Sequence, residues 1–334
     1  MIATPRPALL LTRREIAALM APRDYLAAVE AGFRCHAYGN AGVPVPMHIA
    51  VPKGVFHAKG AHAVLDRAYV AVKLNGNFPG NPQQSGLPTI QGVLLLCDAV
   101  DGSVLGVMDA IELTLRRTAA ASALAARYLA RRDADCVTIC GCGVQGRAHL
   151  AALVEVLPLK RALVWDLDSE KAYEFARAMR AELHLDVAAV REPGDATRQS
   201  DVIVTATTAR APFLTIDMVR PGAFVAAVGA DNPEKSELAP RLMAAATIVV
   251  DLLAQCATMG DLHHAIEAGQ VALTDVHAEL ADLVVERKPG RASPDEITVF
   301  DSTGTALQDV ASAAAIYQRA MAGDIGSSIN FGVL

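Results

Sequence analysis

Lys73 stands in an otherwise apolar run, YVAVKLN. A cation there costs free energy unless it finds a partner or gives up its proton. Strand alternation puts Tyr69, Ala71 and Lys73 on one face and Val70 and Val72 on the other, so the lysine can reach into a cleft while the valines pack. The alternative is a strand-end lysine that stretches to water. Arg116 and Arg117 separate by helix geometry. Glu112 and Arg116 lie four apart and can pair on a solvated face, whereas Arg117 shares its face with Leu113, Ala121 and Leu124. An inward arginine needs an anion: a substrate carboxylate, a cofactor phosphate or a structural carboxylate. Asp231 follows the run AFVAAVG, where a cofactor-proximal acid belongs and where a helix N-cap is the alternative.

A second group of residues is suited to a nucleotide. Gly141, Gly143 and Gly146 form G-x-G-x-x-G in VTICGCGVQGRAHLAAL, an apolar strand, a turn and a helix. The glycines permit a tight turn and close backbone approach, and the helix start presents free N–H groups to a pyrophosphate. Asp166, in RALVWDLD, lies about twenty residues beyond Gly146, the spacing at which an acid meets a ribose 2′-hydroxyl and repels a 2′-phosphate. That favours NAD(H) over NADP(H), with Asp168 as the other candidate acid. The ends of TATT (Thr205–Thr208) and AVGAD (Ala227–Asp231, containing Val228) stand where open parallel sheets bind ligands.

The elements that must position these residues change character along the chain. TRREIAALM and PRDYLAAVEAGFRCHAYG read as helices, the second with Pro22 near its start. Residues 43–108 hold short β-type runs broken by Gly, Pro and Asn, with a hairpin at Asp101-Gly102, as in a mixed or antiparallel sheet. A long helix, AIELTLRRTAAASALAARYLARR, follows. From Asp135 to about Val299 continuous apolar strands alternate with helices, the pattern of a parallel sheet buried on both faces. ITVFDSTGTALQDVASAAAIYQRAM closes the chain as strand, turn and helix. The expected class is α/β: a Rossmann-type parallel-sheet domain beside a mixed α+β domain.

Composition narrows the options. A net charge of −6 argues against nucleic acid as a partner, and no apolar run approaches the ~20 residues that span a bilayer. The N-terminal segment lacks a signal-peptide core, which points to the cytoplasm. Six cysteines without a CxxC pair fit small buried side chains in a reducing compartment. His36, His48, His57 and His62 are scattered, so no catalytic metal is expected.

The runs VKLNGNFPGN…GLPTIQGVLLLCDAVDGSVLGVMDA, LTLRRTAAASALAARYLAR, GCGVQGRAHL and VGADNPEKSEL, in that order, resemble the ornithine cyclodeaminase/μ-crystallin family over nearly the whole chain. The resemblance implies a homodimer. Residues 1–120, completed by 305–334, would bind substrate and dimerise, and 121–304 would form the dinucleotide-binding domain. It implies a nicotinamide cofactor and a substrate carbon that carries an amine or imine beside a carboxylate. Lys73 and Arg117 resemble the family's substrate-site cations, Arg117 also meeting the cofactor, and Asp231 its catalytic acid. Thr89, Val144, Gln145, Asp166, Thr207, Val228 and Ser302 resemble cofactor-contacting residues, and Thr303 a residue beside the substrate. Cyclodeaminases usually carry a carboxylate-clamping arginine in a P-x-R-like stretch. VPVPMHIAV has Met47 near that place with His48 beside it, and a methionine cannot bind a carboxylate. His48, Lys53 or Lys59 would replace it, or the substrate differs from ornithine. Three activities are open: reduction of a small imino acid (iminosuccinate or a ketimine) or the reverse dehydrogenation, cyclodeamination with NAD used catalytically, and non-enzymatic ligand binding of the crystallin type.

Overall fold

The computed structural model describes residues 7–331. It divides into two compact units, Met1–Arg117 with Thr305–Leu334 and Thr118–Gly304. The first division falls inside the long helix, Ala110–Leu129, whose first turns belong to one unit and the rest to the other.

The first unit is built on an eight-stranded mixed sheet. Its central strands Gly54–Val64, Ala68–Asn77, Ile90–Asp98 and Val104–Asp109 run antiparallel to their neighbours, and Ala8–Leu11 joins Val104–Asp109 in parallel. Alternation gives the sheet two unlike faces. Tyr69, Ala71 and Lys73 are buried on one, with Leu94 and Leu96 from the next strand. The C-terminal helix Ala306–Gly323 packs against this sheet and against the helix Pro22–Ala37, which has Pro22 in its first turn. The two helices approach closely at Gly32, where a Cβ would lie 3.0 Å from both Ala311 Cβ and the Leu307 carbonyl oxygen. On the opposite face Met47, Ile49, Val72, Leu74, Val93 and Leu95 are exposed by 39–55%. The valines expected to pack thus lie on a face that this chain leaves partly open. The hairpin turns at Asp101-Gly102 with Gly102 at φ +76°.

The second unit holds an eight-stranded all-parallel sheet with Cys136–Cys140 flanked by Arg161–Trp165 and Val202–Thr205. Beyond the latter come Phe224–Ala227, Thr298–Asp301 and Thr247–Val250. The strands Cys136–Cys140, Val202–Thr205, Phe224–Ala227 and Thr298–Asp301 are buried at every residue, as continuous apolar runs covered on both faces must be. A parallel pair, Arg210–Leu214 with Ser236–Leu238, and the short edge strand Ala278–Glu279 carry too little pattern to stand out in the sequence. No helix among the described residues is long and apolar enough to cross a membrane.

Candidate active site

In the first unit the lysine strand, the long helix and the C-terminal helix bring three charged side chains together. Lys73 Nζ donates to Thr114 Oγ1 at 3.2 Å and to Asp309 Oδ1 at 3.0 Å, and lies 2.9 Å from Asp309 Oδ2. Arg117 Nε donates to Asp309 Oδ1 at 2.9 Å and Nη1 to Gln308 Oε1 at 2.6 Å. Lys73 and Arg117 are each 4% exposed and Asp309 is fully buried. Arg117 turns inward, and Arg116 pairs with Glu112 at 2.8 Å, as their helix faces require. Arg117 meets a structural carboxylate, yet among the described residues its Nη2 has no hydrogen-bond partner.

The electrostatics of this cluster are set by burial. Desolvation brings Lys73 down to about 7, against the opposing pull of Asp309 and with the help of Arg117 and Lys59. Burial raises the Asp309 carboxyl, but Arg117 and Lys73 outweigh it and hold the group below its usual range. Asp309 is therefore an anion throughout the neutral range, while Lys73 exchanges its proton near neutrality.

Sheet register decides what else shares this face. Lys59 lies directly opposite Lys73, His57 opposite Asn75, and His48 opposite His57. His48 and His57 meet Nδ1 to Nδ1 at 2.7 Å, with rings edge to face. Met47 pairs with Ala58, so its side chain belongs to the other face. His48, not Met47, is thus on the lysine's face, while Lys53 sits exposed in the turn that follows its strand. Thr89 lies just before Ile90–Asp98, where its carbonyl accepts from Phe78 N–H at 2.8 Å.

In the second unit the glycine turn separates into three roles. Gly141 has φ +105°, and a Cβ there would sit 2.4 Å from the Ala206 carbonyl oxygen. A Cβ on Gly146 would lie 2.2 Å from the Gly141 carbonyl oxygen. These two glycines are demanded by the protein itself. Gly143 is extended, and a Cβ there would meet nothing within 4 Å. Its openness fits a pyrophosphate that must approach the backbone. Gly143 also N-caps the helix Val144–Leu153 without a side-chain hydrogen bond, so the first-turn N–H groups are not capped from within. Val144 is 73% exposed at that helix start, and the buried Gln145 Oε1 has no hydrogen-bond partner. His149, fully buried, bonds the Gln145 carbonyl through Nδ1 and Ser122 Oγ through Nε2. Desolvation lowers it to about 4, so it is a neutral brace for the turn.

Asp166 follows the strand Arg161–Trp165 and accepts from Cys142 N–H at 2.9 Å and Asp168 N–H at 3.0 Å. It is half-buried against the turn, whereas Asp168 caps the helix Ser169–Leu183 through Glu170 N–H and Lys171 N–H. This division of labour favours Asp166 for the ribose.

The remaining strand-end residues hold their loops. Thr207 donates from N–H and Oγ1 to Glu237 Oε1, both at 2.6 Å, and Gly229 N–H donates to Glu237 Oε2 at 2.8 Å. Val228 N–H bonds the Thr205 carbonyl, and its side chain is buried. Ser302 and Thr303 are buried with their hydroxyls on Asp251, each at 3.2 Å. Burial, then Asp261, raises Glu237 to about 7. Asp231 is exposed, stands four residues beyond the end of Phe224–Ala227, caps no helix, and pairs with Lys235 at 2.8 Å.

Sequence reasoning missed Gln308 and Asp309. Their signal was a polar pair inside the apolar run TALQDVASAAA. It also missed Glu237, His149 and the adjacent His263 and His264. The last two, with Glu267, bring three ligand-type atoms within 4.8 Å of one another, and each ring's other nitrogen is tied to a backbone carbonyl.

The sequence matches the ornithine cyclodeaminase/mu-crystallin family over residues 7–324. An archaeal alanine dehydrogenase dimer with bound NAD superposes with a TM-score of 0.93 at 35% identity, covering 98% of this chain and 100% of that one. The Δ1-pyrroline-2-carboxylate reductase of Thermococcus litoralis, in complex with NADH and L-proline, gives 0.91 at 32% identity over 96% and 100%. The iminosuccinate reductase of Paracoccus denitrificans, in complex with NAD+, gives 0.91 at 31% identity over 98% and 100%. The strand-borne Lys73, the inward Arg117 and the glycine turn thus occur in a chain that belongs to the ornithine cyclodeaminase/mu-crystallin family.

Proposed function

We propose that this protein is an NAD(H)-dependent oxidoreductase that reduces a small α-imino acid, with C=N beside a carboxylate, to the amino acid, or runs the reaction in reverse. The observation that carries this reading is the buried Lys73–Asp309–Arg117 cluster: a proton donor poised near neutrality beside a guanidinium with an unpartnered end. Arg117, through Nη2, binds the substrate carboxylate, and Asp309 fixes the guanidinium plane. Lys73 in its ammonium form passes a proton to the imine nitrogen, and the resulting iminium is the better electrophile. Thr114 and Asp309 orient that transfer by holding the other donors of Nζ. Asp231 would take the role of the catalytic acid that the family resemblance gives it.

Gly141, Gly143, Val144, Gln145 and Gly146 would hold the cofactor pyrophosphate and Asp166 the adenosine ribose, with NAD(H) preferred because the carboxylate repels a 2′-phosphate. When bound, the nicotinamide supplies or accepts the hydride. Ser302 and Thr303, whose hydroxyls Asp251 fixes, would flank the nicotinamide and substrate, Thr207, fixed by Glu237, would lie towards the adenine, and Thr89 and Val228 would contact the cofactor. The partner is a second copy of this chain. The exposed apolar sheet face from Met47 to Leu95 is of the kind that association covers, and a similar chain is a dimer.

The test follows NADH absorbance with excess ammonia and a panel of carbonyl substrates and preformed cyclic ketimines. Substrate-dependent oxidation with amino acid formed is expected. Ammonia release from ornithine or lysine at constant NAD, with no NADH consumed, would make the protein a cyclodeaminase instead.

A further inference from the structure

The helix Asp261–Glu267, in the second unit, carries a pattern that the proposed reaction does not use. In DLHHAIE, His263 and His264 stand four and three residues before Glu267, so both can turn to the same carboxylate. His263 Nε2 lies 3.5 Å and His264 Nδ1 4.0 Å from Glu267 Oε2, with the ring centroids 5.2 Å apart. The two rings are mostly buried, and Glu267 is exposed.

Hydrogen bonding on the far side of each ring fixes what faces the carboxylate. A carbonyl oxygen only accepts, so His263 Nδ1 donates to the Ala257 carbonyl at 3.3 Å and His264 Nε2 to the Lys235 carbonyl at 2.8 Å. In the neutral rings those nitrogens hold the one N–H, and His263 Nε2 and His264 Nδ1 each present a lone pair. Two lone pairs and a carboxylate oxygen thus converge within 4.8 Å of one another. A proton on His263 Nε2 would answer one of these contacts. It would leave His264 Nδ1 unanswered, because 4.0 Å is beyond hydrogen-bond reach of the carboxylate. A metal cation answers all three. A ring whose second nitrogen is tied to a backbone carbonyl has the orientation that metal-ligating imidazoles adopt.

We infer that His263 Nε2, His264 Nδ1 and Glu267 bind one divalent transition-metal ion of the zinc class, with water completing its coordination. Two imidazoles and a carboxylate suit zinc, whereas Mg2+ and Ca2+ take oxygen ligands. Bonds of about 2.0–2.2 Å in a tetrahedron put the ligand atoms about 3.3–3.5 Å apart. The His263–Glu267 separation already has that value, and the exposed Glu267 side chain can turn to close on His264. The ion is a clamp and takes no part in hydride transfer, so the site stands whether or not the imine-reductase reading does. His264 ties the helix to Lys235, and Asp261 at the other end accepts Glu237 N–H at 2.8 Å and Leu238 N–H at 2.9 Å. Holding the helix therefore holds the segment from which Glu237 fixes Thr207 and Gly229.

The experiment titrates Zn2+ into the full chain near neutral pH, after treatment with EDTA and dialysis, and follows the heat of binding and thermal unfolding. One equivalent should bind, and saturating Zn2+ should raise the Tm by about 2 °C or more, whereas Mg2+ and Ca2+ should not. Glu267→Gln, a change at an exposed side chain, should leave the metal-free Tm unchanged and weaken Zn2+ about tenfold or more. His263→Ala combined with Glu267→Gln should abolish saturable binding. The absence of stoichiometric binding, or a Tm that Zn2+ does not raise, overturns the site. Binding that the double variant retains does so too, and makes the zinc an adventitious ion only. An equal response to Mg2+ overturns the ligand chemistry assigned to it.

Discussion

Lys73 and Arg117 meet on one oxygen of one buried carboxylate: Lys73 Nζ donates to Asp309 Oδ1 at 3.0 Å, with Oδ2 at 2.9 Å, and Arg117 Nε donates to Asp309 Oδ1 at 2.9 Å. The three come from positions 73, 117 and 309, and each is costly to bury without the others. Replacing Asp309 by Asn should therefore destabilise the fold by about 3–5 kcal/mol, since two cations lose their counterion. Thermal unfolding of Asp309→Asn reads this directly, and an unchanged Tm would mean that water already screens the cluster.

Lys73→Met removes the proton donor and relieves the buried charge. The variant should fold, since Asp309 keeps Arg117 as its counterion, and bind NADH, while kcat/KM for imine reduction falls about a hundredfold to ten-thousandfold. Near-normal turnover would remove Lys73 from the chemistry.

The pH dependence has a definite sign. Burial holds Lys73 at about 7, and reduction needs its ammonium form. The reductive rate should thus fall as pH rises through about 7, and the oxidative rate, which needs the neutral amine, should rise over the same interval. Profiles that are flat from about pH 6 to 8 in both directions would assign the proton to another group.

The glycine turn offers a contrast between fold and ligand. Gly141→Ala and Gly146→Ala should lower stability by about 1–3 kcal/mol, because each new Cβ would strike backbone. Gly143→Ala should leave the melting temperature nearly unchanged and weaken NADH binding about tenfold or more, since its Cβ would enter open space. Asp166→Asn, which keeps an acceptor for Cys142 N–H, should narrow the NADH-over-NADPH preference about tenfold. An unchanged cofactor ratio would move the ribose contact elsewhere.

The apolar sheet face predicts its own assembly. Light scattering should find a dimer, and Leu74→Glu with Leu95→Glu, on adjacent strands of that face, should shift it towards monomer. A double variant that remains fully dimeric would place the interface elsewhere.

The local regularities were determined by the sequence alone. The parallel strands were legible because continuous burial leaves a continuous apolar run, and the nucleotide turn because three glycines answer to backbone geometry within one short segment. Helix periodicity alone turned Arg117 inward and Arg116 outward, and strand alternation alone put Lys73 on the face away from Val72. Tertiary structure decided what those side chains meet. Asp309 lies 236 residues from Lys73, and no periodicity connects them; only the return of the C-terminal helix onto the sheet makes them partners. Register decided that His48 and Lys59, rather than Met47, share the face of Lys73, because a slip of one residue would exchange the faces of the whole strand. Glu237 and Asp251 were invisible for the same reason: a buried acid reads like a surface acid until the chain shows which backbone N–H groups and hydroxyls surround it.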